Sequence, residues 1–312
     1  MSWFARAPNR TYGRAMHGWI ILDKPLGLGS TQGVSAVKRA LREGGYGKAK
    51  VGHGGTLDPL ATGVLPIALG EATKLAGRML DSDKVYDFTI GFGVETDTLD
   101  AEGKVVATSD AIVDGAAVED VLVNFLGEID QLPPAYSALK INGERAYDLA
   151  RAGEEVVLAT RRIKIHDLTY LSWWAEGGRQ FATLRAHVSK GTYIRSLARD
   201  IAHALGTVGH VTYLRRIKAG PFSLDQAISL DFLADAARQR RLEDILLPLR
   251  AGLDDIPALS LTPDQAGLLR QGRVLIGIAV DDGLHFALSG EFPVALVEAE
   301  AGSVRVVRGF NL

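Results

Sequence analysis

The sequence predicts an α+β fold, a mixed and mainly antiparallel sheet with helices packed on it, followed by a small C-terminal β domain. Three observations lead there. Strand-like and helix-like segments are interspersed without the regular spacing of βαβ units. From about residue 251 onward the chain breaks into short β-rich pieces separated by turn signals, Asp281-Asp282-Gly283 and Ser289-Gly290-Glu291. The 312 residues, 47% hydrophobic and 23% charged, suffice for two cores and are too apolar for a disordered chain.

Taken in order, residues 18–25 read as a short buried strand stopped by Pro25. A helix follows. Ser30 or Thr31 can cap it, Val34, Val37 and Leu41 form one apolar stripe, and Lys38, Arg39 and Arg42 lie off that stripe. Residues 51–63 hold four glycines and a proline, too many for a helix or a central strand, so an ordered loop is expected. Strand character returns over 64–69, a helix over 71–80, a strand over 84–92 and a helix over 115–126. Residues 131–151 begin with a Pro133-Pro134 break and end in a short helix through Ala146, Leu149 and Ala150, an excursion from the core. Strands over 161–171 and 181–188, a helix over 192–205 and a strand over 211–217 complete a larger domain of residues 1–250. A linker near 249–257 leads to the small domain, 251–312.

Composition removes several function classes. The chain has no Cys, which excludes disulfide frameworks, thiolate metal sites, iron–sulfur ligation and a cysteine nucleophile, and fits a reducing compartment. Arg6, Arg10 and Arg14 precede no apolar run of signal-peptide length, although three arginines without an acid also resemble a weak transit peptide. No segment reaches membrane-spanning length, so a cytoplasmic location and no membrane partner are expected. A net charge of −2 argues against a polyanionic partner, but its distribution argues the other way. Residues 1–52 carry 9 Lys/Arg against 2 Asp/Glu and residues 161–218 carry 11 against 3, whereas residues 53–160 carry 7 against 19. If the two basic blocks meet in the fold, they form the electrostatic footprint of a nucleic-acid site.

Familiar catalytic motifs are missing. Gly27-Leu28-Gly29 with Gly33 mimics a dinucleotide turn but is one residue out of register, and no P-loop or GxSxG elbow occurs. His17, His53, His166, His187, His203, His210 and His285 show no HExxH spacing and no close pair, so no metal site is expected. What remains is the glycine-rich run around Leu57-Asp58-Pro59. Its glycines permit close backbone approach to a ligand, and Pro59 biases Asp58 toward an extended conformation from which a carboxylate can project into a cleft. Read alone, the same residues also fit an Asp-Pro turn that caps neighbouring amides.

Residues 52–75, GHGGTLDPLATGVLPIALGEATKL, resemble the defining segment of the TruB-type pseudouridine synthases. Six further segments match that family in order. They are ILDKPLGLGST (21–31), Lys84-Val85-Tyr86, TDTLDAEG (96–103), QLPPAYSALK (131–140), GTYIRSL (191–197) and HVTYLRR (210–216). Together they span about two thirds of the chain. The resemblance implies the pseudouridine synthase fold, with residues about 131–152 as a thumb-like loop that grips RNA and residues 251–312 in the position of a small β-barrel RNA-binding domain of the PUA type. It also implies similarity to the stand-alone bacterial branch, which isomerises the TΨC-loop uridine of the tRNA T arm.

That reaction breaks a C–N glycosidic bond, rotates the base and rejoins it through C5, so no redox agent or group donor enters and no cofactor is required. The resemblance assigns the catalytic carboxylate to Asp58, its guanidinium partner to Arg195, and stacking with a part in proton transfer to Tyr86. Tyr193 and Leu214 correspond to residues packed around the base, and His53 to one packed against the T loop. Lys84, Lys140, Arg145, Arg161, Arg162, Arg215 and Arg216 are candidate phosphate contacts on a basic face. Each of these side chains would otherwise pass as a core or solvated residue. The resemblance leaves open whether Asp58 attacks the base, attacks the ribose or assists elimination. No protein partner is implied. A non-catalytic tRNA-binding chaperone is the alternative, and the intact Asp58, Tyr86 and Arg195 set argues against it.

Overall fold

The computed structural model describes residues 16–137, 139–141, 143–154 and 156–312, with the backbone alone at Lys140 and Ile141. Arg6, Arg10, Arg14 and the Lys140 side chain lie outside the described residues. The chain opens with β1 (Gly18–Lys24), α1 (Ser30–Glu43), β2 (Val51–His53) and β3 (Ala61–Leu69). After a 3-10 turn come α2 (Ala76–Asp81), β4 (Lys84–Phe92), β5 (Val94–Thr96), β6 (Val105–Thr108) and α3 (Gly115–Val121). The middle of the chain supplies β7 (Gly127–Gln131), a small β8–β9 ribbon (Lys140–Ile141 and Glu144–Arg145) and α4 (Ala146–Arg151). Next are β10 (Arg161–Glu176), β11 (Arg179–Val188), α5 (Ile194–Ala204), β12 (Gly209–Ala219), β13 (Phe222–Ser223) and α6 (Leu230–Arg238).

These strands build one nine-stranded sheet with the spatial order β1-β3-β12-β4-β11-β10-β7, to which β2 and β13 add at β3 and β12. Every pairing is antiparallel except β3 with β12, so the expected mixed, mainly antiparallel sheet is found. Period-two alternation then fixes the faces. On β4, Phe88 and Ile90 are fully buried in a cluster with Leu197, Ala198 and Ile201 of α5. The same row continues outward to Tyr86 and Lys84. It leaves the core where the helix ends and an open cavity begins.

Strand β1 is buried on both faces, as its near-continuous apolar run requires. Ile20 and Leu22 join Val34, Val37 and Leu41 of α1, while Trp19 and Ile21 face the C-terminal part of the chain. That part contains β14 (Ala258–Ser260), α7 (Pro263–Arg270), β15 (Leu275–Ile276), β16 (Gly283–Ser289), β17 (Phe292–Glu300) and β18 (Ser303–Gly309). Its five strands run in the open order β14-β16-β17-β18-β15, so the small β domain is a sheet with two edges where a barrel is expected. Leu249, Leu253, Phe286, Leu296 and Phe310 pack on Trp19 and Ile21, giving the two parts a shared apolar seam. Gly252 lies so close to Trp19 that a Cβ there would stand 2.8 Å from the indole ring.

Two local expectations are revised. The α1 N-cap is Gly29, not Ser30 or Thr31. Residues 51–53 form the short strand β2, and β3 starts at Ala61, earlier than the sequence pattern suggests. Among the described residues no helix is long and apolar enough to cross a membrane.

Candidate active site

Asp58 stands in the loop between β2 and β3, and that loop is held from every side. The Ser30 hydroxyl, freed from capping, donates to the Leu57 carbonyl at 2.9 Å and accepts from the Leu57 amide at 2.7 Å. Lys24, completely buried, donates to the carbonyls of Pro25, Leu28 and Pro59 at 3.0, 2.6 and 3.2 Å. Arg216, 1% exposed, donates from Nε to Val64 O at 2.8 Å and from its two other nitrogens to Thr56 O and Gly55 O at 3.3 Å. Gly63 makes this bracing possible. Its φ of +99° is a left-handed conformation, and a Cβ there would lie 2.2 Å from the Arg216 carbonyl oxygen.

The carboxylate is fixed by Arg195, near the start of α5. Arg195 Nη2 is 2.9 Å from Asp58 Oδ2, and the guanidinium is only 7% exposed. Nη1 donates to Thr98 O at 2.8 Å and Nη2 also to Tyr136 O at 3.0 Å, with Asp100 Oδ2 at 3.6 Å from Nη1. A planar fork of donors suits this division among a carboxylate and two carbonyls, whereas an ammonium on a flexible stem does not. The acceptor turn is itself constrained. Leu99 has φ 62°, a left-handed conformation costing an L-residue about 1–2 kcal/mol. Asp100 ties the turn through Thr98 Oγ1 at 2.6 Å and the Glu102 amide at 3.1 Å.

Asp58, Tyr86, Tyr193, Leu214, Arg195 and Lys84 all line one cavity of about 610 Å³, within the roughly 300–1,000 Å³ typical of small-molecule sites. Gln131, 1% exposed, accepts from the Tyr193 amide at 2.8 Å and donates to its carbonyl at 3.1 Å, which sets the entry to α5. Burial pushes the Tyr193 hydroxyl above its ordinary range. Burial, reinforced by Arg216, pushes Lys84 down to about 8. Burial also lowers Lys24 to about 8, against the opposing pull of Asp58. The lining is mostly apolar, with Asp58 its one carboxylate and Lys84, Arg161, Arg195 and Arg216 its cations.

The candidate phosphate contacts and His53 are divided between the cavity and other surroundings. His53 is in β2, outside the cavity lining, with a buried Nδ1 that has no partner and an imidazole held toward the neutral form by burial and by Arg216. Lys84, a candidate for an outer basic face, instead turns inward to the carbonyls of Leu80, at 2.8 Å, and Ser82. Arg216 likewise points inward. Arg162 pairs with Glu128 at 3.2 Å and Asp130 at 3.7 Å on the β7–β10 edge. Arg215 pairs with Asp23 at 2.8 Å, and Arg185 grips Asp87 at 2.7 and 2.9 Å. Arg161 lines the cavity and Arg145 is exposed on the β8–β9 ribbon. Sequence reasoning gives no role in the site to Lys24, Ser30, Thr98, Asp100, Gln131 or Tyr136. All six lie inside motif segments quoted above, yet what they do in the site depends on how the fold brings those segments together.

Comparison with known proteins shows the family. The chain matches the family model of the TruB family pseudouridylate synthase N-terminal domain over residues 42–194. It matches that of the tRNA pseudouridylate synthase B C-terminal domain over residues 195–254. It is 67% identical to tRNA pseudouridine synthase B of Novosphingobium aromaticivorans, with 95% of this chain and 97% of that protein covered. It is 61% identical to tRNA pseudouridine synthase B of Zymomonas mobilis, with the same two coverages. Among solved structures, a chain of an H/ACA RNP bound to a substrate RNA containing 2'-deoxyuridine superposes with a TM-score of 0.71 at 25% identity, covering 95% of this chain and 86% of that one. A chain of a Cbf5-Nop10-Gar1 complex gives 0.69 at 26% identity, covering 95% and 84%. With the two family models together matching residues 42–254 and its relatives aligned almost end to end, the chain belongs to the TruB family of pseudouridine synthases.

Proposed function

We propose that this enzyme isomerises the TΨC-loop uridine of tRNA to pseudouridine, with Asp58 as the catalytic carboxylate and no cofactor. The observation that carries the reading is the 2.9 Å pair between Asp58 and a buried Arg195 at the wall of a mostly apolar cavity. A uracil detached from its ribose must be retained and rotated, which calls for a closed, mostly apolar pocket with one charged group at the reacting end. Extruding the uridine from its stack costs roughly a few kcal/mol, and Tyr86 and Tyr193 offer aromatic surface to offset it. The C1′–N1 bond breaks, C1′–C5 forms, and the C5 proton is lost as N1 gains one, so the reaction is balanced within the substrate.

Residues 1–250 would hold the chemistry and residues 131–152 would grip RNA. Residues 251–312 would act as a PUA-like RNA-binding domain, adding contacts beyond the T loop; their own apolar cluster around Ala266, Leu269, Val294 and Val297 supports treating them as a unit. Arg161 is the cavity-lining arginine best suited to a phosphate, and Arg162 and Arg215 would have to exchange carboxylate partners for one. Lys140 and His53 would contact the RNA outside the base pocket.

The direct test is tritium release from tRNA transcribed with C5-labelled uridine. One equivalent per tRNA is expected, vanishing when the TΨC-loop uridine is replaced by cytidine. Release that persists after that replacement, or no release from the parent tRNA, would sink the assignment. Tyr86 is separable by two variants. Tyr86→Phe keeps the stacking face and removes the hydroxyl, so turnover should fall with RNA affinity kept, whereas Tyr86→Leu should weaken capture of the base as well. Near-parent rates in both variants would return Tyr86 to a purely structural role on β4.

A further inference from the structure

Strands β10 and β11 form a hairpin whose register slips twice, the first slip falling between the pairs Ile165–Val188 and Asp167–His187. His166 is the extra residue of that bulge. Such an insertion re-aims a side chain, and it brings His166 onto the same face as His187, with ring centroids 4.8 Å apart and planes inclined by 38°. The third member comes from the turn before β4. Asp83 Oδ2 lies 3.1 Å from His166 Nε2 and 3.8 Å from His187 Nε2. One ligand atom from each of the three residues lies within 4.8 Å of the others.

We propose that Asp83, His166 and His187 form a binding site for one divalent cation of the zinc class, separate from the Asp58 cavity. Two imidazoles and a carboxylate are a borderline-soft set, suited to Zn²⁺ and neighbouring late transition metals and poorly matched to Mg²⁺. Tetrahedral bonds of about 2.0–2.1 Å separate ligand atoms by roughly 3.4 Å. The two Asp83 distances bracket that value, and the three side chains, 27, 42 and 46% exposed, can rotate to shorten the remaining edge. The same exposure leaves room for a water as fourth ligand.

A cation there would tie together β10, β11 and the segment leading into Lys84 and Tyr86. It would stabilise the rim of the cavity without touching the base. None of the three residues lines the cavity, so the site takes no part in the isomerisation.

The test uses tag-free, full-length protein dialysed against chelator and titrated with Zn²⁺ in competition with a chromophoric chelator. One equivalent should bind and raise the thermal midpoint, while Mg²⁺ should not. His166→Ala, His187→Ala and Asp83→Asn should each weaken Zn²⁺ binding at least about tenfold while tritium release from tRNA stays near the parent rate. Undiminished binding in a His166→Ala/His187→Ala double variant would overturn the site, as would a parent protein that takes up no Zn²⁺. Should the alanine variants fail to fold, Co²⁺ added to the parent decides. Intense visible bands would mark imidazole ligation at a tetrahedral centre, and the spectrum of the aqua ion would overturn it.

Discussion

Replacement of Asp58 by Asn is expected to lower turnover at least about 10⁴-fold, roughly 5.4 kcal/mol of transition-state stabilisation, while tRNA affinity stays within about tenfold of the parent. The substitution keeps shape and an acceptor for Arg195 Nη2 but removes the charge and the nucleophile. Its structural cost is small for a defined reason. Arg195 still has Thr98 O at 2.8 Å, Tyr136 O at 3.0 Å and the Asp100 carboxylate at 3.6 Å, so the buried guanidinium is not stranded. The Asp58 side chain is itself 41% exposed, so little is lost by way of packing. Loss of one negative charge from a cavity that receives a polyanion should, if anything, strengthen binding. Tritium release and filter binding on the same preparation separate the two effects. A variant that turns over at more than about a hundredth of the parent rate would remove Asp58 from the chemistry.

The large domain was legible in the sequence because its patterns are local. The strands over 84–92 and 181–188 and the stripe of Val34, Val37 and Leu41 follow from periodicity, and the structure has them in the expected places. The helix α6 carries the same kind of stripe, with Leu233, Ala236 and Ala237 buried. What stayed hidden is the work done at a distance. Ser30 reads as a cap until Leu57 is brought beside it, and Gly29, with no side chain to offer, takes the cap position.

Charge counting fared worst, for a related reason. Runs of Lys and Arg suggest a solvated face, yet Lys24, Lys84, Arg195 and Arg216 are spent inside the protein on carbonyls and one carboxylate. Arg162 and Arg185 face acids on adjacent strands and Arg215 reaches across β3 to Asp23 of β1, pairings set by strand order and register that no block sum can anticipate. The same holds for His166 and His187, which are distant in sequence and meet at a tilt across a hairpin. The boundary near residue 250 is likewise softer than composition suggests. Trp19 of β1 has its indole nitrogen 3.2 Å from Leu249 O and its ring in the seam with Phe286 and Phe310. A chain cut at residue 250 would therefore expose β1, so the RNA contacts of the small domain are better tested by surface substitutions than by truncation.

Arg195→Lys is the second substitution with a large expected effect, because it keeps the charge and changes only its geometry. The guanidinium serves Asp58, Thr98 O and Tyr136 O from three directions at once, and it does so at 7% exposure, where each lost donor leaves an acceptor dry. A lysine ammonium can reach one or two of these acceptors and would leave the Thr98–Asp100 turn, already strained at Leu99, without its anchor. Turnover should fall about 10²–10³-fold, roughly 2.7–4 kcal/mol, from a carboxylate no longer held toward the base. Folding stability should drop as well, by about 1–3 kcal/mol for the unsatisfied carbonyls. Removing the charge altogether, in Arg195→Met, should cost more in both measurements, because Asp100 and Asp58 would then face each other across an apolar gap. Affinity for tRNA should change little in Arg195→Lys, since the side chain is packed behind the carboxylate and not on the RNA-facing surface. Thermal melts run beside single-turnover tritium release distinguish the two losses. A lysine variant within about threefold of the parent rate would mean that charge alone suffices, and the fork geometry would lose its place in the mechanism.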